Sequence, residues 1–185
     1  SSVEELEERL RRVLERSERH LRKLEKKVEE VLDESRKNLT RLLRDVERVL
    51  RDVEETVRRE KSKSVADEIR KEVKRLLDKV KKILKENRDK TKRMLEEVKE
   101  VLDRNEEETK RLEERVDKAL RDEIKDERKA RELKRTVKRL AEESRKILRE
   151  VEEKVRKVAE DSERILEEVE RTVKRVVEEI DRTVR

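Results

Sequence analysis

The sequence predicts an all-α fold: a single-chain three-helix bundle of long, nearly straight, antiparallel (up-down-up) helices. Three observations lead there. The 185 residues include no Gly, Pro, Cys, Phe, Trp or Tyr, and 59% of them are charged, a composition of long helices and not of a mixed globular domain. The Leu, Ile and Val residues are periodic and gather on one face of each segment. The phase of that face slips twice, which divides the chain into three. An apolar content of 30% would by itself permit disorder. Periodicity opposes it, because each segment can bury all of its apolar side chains at once.

The period is 18 residues. From Val13 the chain reads VLERSERHLRKLEKKVEE, then VLDESRKNLTRLLRDVER from Val31, then VLRDVEETV from Val49. From Val80, VKKILKENRDKTKRMLEE is followed by VKEVLDRNEEETKRLEER. From Val137, VKRLAEESRKILREVEEK is followed by VRKVAEDSERILEEVERT, with another copy starting at Val173. Such a period makes about five turns at roughly 3.6 residues per turn, so the stripe keeps its angle and no supercoil is imposed.

The first helix is expected over about 2–60. Its inward set (Val13, Leu14, Ser17, His20, Leu21 and Leu24) occupies an arc of roughly 120°, the width that suits a three-helix core. Val57 still lies on this stripe, whereas Val65 lies about 100° away from it, so a turn belongs near Lys61 to Ser64. Ser64, with Asp67 three residues on, resembles a capping box and predicts a second helix over about 65–124.

The second helix repeats the same arc with Val80, Ile83, Leu84, Asn87, Thr91 and Met94, and Met94 reads as a core filler. Glu123 would point into the core and Ile124 would miss it, so this helix should end near Arg121 to Lys125. Asp126 is then the expected N-cap of a third helix over about 127–184, whose stripe carries Val137, Leu140, Ala141, Ser144, Leu148 and Val151. Each helix would be about 85 to 90 Å long at 1.5 Å per residue, and residues 1–185 would form one bundle.

Polar residues interrupt the stripes at the same 18-residue interval. Folding the chain back at each turn brings Ser17, His20, Asn105, Thr109 and Ser144 to one height, and Ser35, Asn38, Asn87, Thr91 and Ser162 to another. The two layers would lie roughly 27 Å apart. A buried hydroxyl or amide without a partner costs on the order of 1 to 3 kcal/mol, so matched layers penalise a wrong register. A plain Leu/Val core with this repeat would tolerate such slips.

The 18-residue period, the Glu/Lys/Arg surface and the Asn/Thr/Ser/His layers together resemble de novo parametric helical bundles with buried hydrogen-bond networks. The resemblance covers the whole chain, although the connecting segments lack the Gly-containing loops usual in that class. It implies a structural scaffold without a natural biochemical function. The alternative is a coiled-coil module that self-associates or binds a partner helix; that would call for a second, outward apolar row, which the sequence lacks.

Catalytic and ligand-binding readings find little support. His20, as the sole imidazole, invites a role as proton switch or metal ligand, but one His without Cys cannot complete a zinc site. No mid-helix core position is acidic, so a carboxylate-bridged metal centre has no ligands. The core Ser residues have no His–carboxylate relay, and no Gly-rich loop is present to cradle phosphate. No enzyme activity, cofactor or metal is therefore expected. The net charge of +6 comes from 58 basic and 52 acidic residues intermingled along the chain. With no aromatic residue for stacking, this predicts neither a specific nucleic-acid partner nor a membrane surface. The chain reads as a soluble, thermostable monomer with no obligate partner.

Overall fold

The computed structural model describes residues 2–122 and 127–184. Three α-helices account for nearly all of them: α1 (Ser2–Arg59), α2 (Lys63–Asp122) and α3 (Glu127–Val184). No strand occurs among the described residues. The absence of helix breakers permits the length, and charges at the ends favour it. Glu4 and Glu5 stand in the first turn of α1 and Arg58 and Arg59 in its last, each sign opposing the partial charge of its helix end. Glu127 and Arg182 do the same for α3.

The α1–α2 connection differs from the expected capping box at Ser64. α2 begins at Lys63, and it is the Ser62 hydroxyl oxygen that accepts from the Val65 N–H, at 3.2 Å. The Ser62 carbonyl takes the first backbone bond, from the Ala66 N–H at 3.1 Å. Two serines two residues apart offer alternative caps, and the earlier one takes the role; Ser64 is an exposed residue inside the helix. α2 is described as far as Asp122; the remainder of the stretch Arg121 to Lys125 in which its end is expected, and the cap expected at Asp126, lie outside the described residues.

Contacts divide the chain into two compact units. The first comprises Ser1–Glu30 and Arg93–Lys154, the second Val31–Lys92 and Val155–Arg185. Each contains a segment of all three helices.

In the first unit α1 and α2 run antiparallel: Ser17 meets Asn105, and further along α1 Lys27 meets Glu97, which lies earlier on α2. α2 and α3 are antiparallel as well, since Asp117 pairs with Lys134 while the earlier Glu106 pairs with the later Arg145. At one end of this unit Leu10, Leu112, Val116, Leu133 and Val137 form a buried cluster, with Leu6, Val13, Leu14, Ala119 and Leu120 packed against it.

In the second unit the core is built from Leu32, Val46 and Leu50 of α1, Val73 and Val80 of α2, and Val158, Val169, Val176 and Ile180 of α3, all buried. Its cross-helix ion pairs, Glu34–Lys90 and Arg70–Asp181, are exposed.

Burial follows the angle on the stripe. Leu10, Ser17, Leu21 and Val28 lie within about 20° of the α1 stripe centre at roughly 100° per residue and are buried. Leu14, Leu24 and Val13, further out, are half-buried. The period is kept on the other helices too: Val80, Val98 and Val116 on α2, and Leu140, Val158 and Val176 on α3, are all buried. No large hydrophobic side chain is exposed among the described residues.

Candidate functional site

The structural feature that departs most from a plain apolar core is the set of polar residues on the stripes. In the first unit three of them form a chain of hydrogen bonds across all three helices. The Ser17 hydroxyl donates to Asn105 Oδ1 at 3.1 Å, and Asn105 Nδ2 donates to Ser144 Oγ at 2.9 Å. The Ser144 hydroxyl in turn donates to the Leu140 carbonyl at 3.1 Å. The amide of Asn105 is the keystone, since it alone offers both an acceptor and a donor on a stem long enough to reach two neighbouring helices.

Thr109 was expected in this layer and is buried, but its hydroxyl donates to the Asn105 carbonyl on its own helix, at 2.7 Å. His20 departs from expectation altogether: it is exposed and belongs to no core layer. His20 lies about 80° from the stripe centre, at the edge of the apolar arc, where burial depends on how far the neighbouring helix reaches over α1.

Among the described stripe residues of the second unit, Asn87 Nδ2 donates across the helix interface to Ser35 Oγ at 2.7 Å. Thr91 and Ser162 are buried yet donate within their own helices, to the carbonyls of Arg88 at 2.9 Å and of Val158 at 2.9 Å. Asn38, at the same stripe angle as His20, is half-buried at the periphery. This layer is therefore a pair and not a ring. Helical Ser and Thr always have the carbonyl three or four residues back within reach, so a hydroxyl on the stripe does not commit to a partner helix. The amide of Asn87 instead reaches across to Ser35.

Satisfaction is complete in one respect: among the described residues, no buried side-chain nitrogen or oxygen lacks a hydrogen-bond partner. One further repeat along, the stripe positions are filled by Val53, Ile69 and Ile180, all buried, so that level of the second unit is apolar.

Other chemistry is sparse. Among the described residues no group of three or more His, Cys, Asp and Glu side chains is placed to hold a metal ion. No described helix is long and apolar enough to cross a membrane. Arg59 is held above the usual guanidinium range by the hydrogen bond and charge of Glu55, an exposed pair at the end of α1. Beside the Ser17–Asn105 bond, a cleft of about 470 Å³ opens between α1 and α2. Nothing in the sequence signals it, because it depends on how closely the two stripes approach at a level where small polar side chains replace Leu and Ile.

No protein-family model matches the chain, and no curated protein matches it. Among solved structures, the chain is similar to one described as "Computationally designed three helix bundle", at 15% identity over 98% of this chain and 82% of that chain, with a TM-score of 0.41.

Proposed function

We propose that the chain is a structural scaffold of the designed-bundle kind, whose purpose is to hold three helices in one register. The observation that carries this reading is the Ser17–Asn105–Ser144 chain: a half-buried amide linked to a buried serine of a different helix on each side. Such a group contributes little net stability, since the unfolded chain bonds the same atoms to water. It does raise the free energy of every alternative register in which it would be buried unpartnered, and a stripe that repeats every 18 residues has such alternatives.

The test is a variant in which both cross-helix sets are made apolar: Ser17→Ala, Ser35→Ala, Asn87→Leu, Asn105→Leu and Ser144→Ala. Amide NMR spectra of the parent should show one resonance per residue, and those of the variant should show doubled sets from slipped registers. A single, parent-like set in the variant would remove the register role.

The same reading makes the chain a monomer. Sedimentation equilibrium should return a mass near 22.6 kDa across a concentration series, with a cooperative melt above the range of about 45–65 °C where ordinary domains cluster. A multiple of that mass would transfer the function to self-association.

A further inference from the structure

We propose that the cleft beside the Ser17–Asn105 bond is a binding site for a small amphipathic anion: an apolar, ring-sized body carrying one carboxylate or sulfonate. The cleft lies within the first unit, between α1 and α2, and its volume of about 470 Å³ falls inside the roughly 300–1,000 Å³ of small-molecule sites. Its apolar lining is Leu21 and Leu24 from α1 and Val101 from α2. Leu21 is buried, while Leu24 and Val101 are half-buried, so an apolar guest would remove further hydrocarbon from water.

The polar lining favours an anion. Lys23 and Lys27 stand on the α1 wall and Arg104 on the α2 wall, against one lining carboxylate, Glu108. Lys27 is already engaged by Glu97 at 3.1 Å, which leaves Lys23 and Arg104, one on each wall, to receive the acidic group. A planar guanidinium binds a carboxylate or sulfonate through two parallel N–H donors. The Asn105 amide is committed to Ser17 and Ser144, so the site's selectivity comes from charge and shape and not from that amide.

His20 also lines the cleft. With one histidine and no Phe, Tyr or Trp in the chain, its two ring C–H groups are the only aromatic resonances of the protein. In carbon-edited spectra of isotope-labelled protein, which filter out the aromatic signals of an unlabelled probe, they report occupancy of this cleft without assignment.

The experiment titrates anilinonaphthalene sulfonate into the full chain, following probe fluorescence and the His20 ring signals together, with neutral N-phenylnaphthylamine as the uncharged counterpart. The expected result is one saturable site whose fluorescence and His20 shifts give the same Kd. The neutral compound should bind at least about tenfold more weakly, the effect of losing one charge-assisted contact. The double variant Lys23→Glu with Arg104→Glu changes two exposed side chains, so circular dichroism should be unaltered while the affinity for the sulfonate falls at least about tenfold. Fluorescence without movement of the His20 signals would place the probe elsewhere and overturn the proposal. So would a His20 shift of equal affinity for both probes, or one unchanged by the charge reversal in a folded variant.

Discussion

Asn105 Nδ2 lies 2.9 Å from Ser144 Oγ, and this single contact ties α2 to α3 at the level where Asn105 also accepts from Ser17. Removing the amide and replacing the whole chain should therefore act in opposite directions. Asn105→Ala leaves Ser17 and Ser144 buried with one partner fewer, and should lower the unfolding free energy by about 1–3 kcal/mol. The triple change Ser17→Ala, Asn105→Leu, Ser144→Ala leaves no unmatched polar atom, and should be neutral or stabilising relative to the parent. Denaturant unfolding of both variants checks this; a triple variant less stable than Asn105→Ala would contradict the account.

The cap at Ser62 gives a second, sharper contrast. Ser62→Ala removes the acceptor of the Val65 N–H and should cost about 1 kcal/mol. Ser64→Ala, at an exposed position already inside α2, should shift the unfolding midpoint little and, through alanine's higher helix propensity, slightly upward. Equal losses at the two positions would show that the connection uses both.

Core substitutions should rank by burial. Val80 and Val137 are 0% exposed, so Val→Ala at either removes two buried methyl groups and leaves a void, at about 2 kcal/mol. Leu24→Ala deletes a larger side chain, but one that is half-buried beside an open cleft, so it leaves no closed void, and should cost less than either valine. Thermal and urea melts of the three variants test the order.

The cross-helix ion pairs should contribute little. Lys27 and Glu97 lie 3.1 Å apart, with side chains 62% and 61% exposed. A double-mutant cycle to alanine should give a coupling below about 1 kcal/mol, falling further at about 1 M salt, where the screening length drops to about 3 Å. A coupling that persists at high salt would point to a contact other than charge.

How much of this was legible in advance differs between elements. The three helices and their buried faces were readable because each is a one-dimensional property. In a chain without Gly or Pro, apolar residues at a helical period mark both the helix and its inner side, as Val80, Val98 and Val116 illustrate. The height at which Ser17, Asn105 and Ser144 meet was likewise readable, since it needs only the turn positions and the rise per residue. Even the cap needed one more fact, because Ser62 and Ser64 are chemically equal candidates and only the path of the chain between the helices distinguishes them.

The sequence by itself determined which residues face inward and at what level, because angle and rise along a helix depend on nothing beyond residue number. Only the tertiary structure decided which polar side chains bridge helices, which turn back on their own backbone, and which leave the core. Thr91, Thr109 and Ser162 had a local carbonyl within reach and took it, whereas Asn87 and Asn105 found their partners across the interface. His20 shares the stripe's edge with Asn38, yet one is exposed and the other half-buried. That difference depends on how far the neighbouring helix extends over the edge of α1, a distance between chain segments remote in sequence that no periodicity encodes.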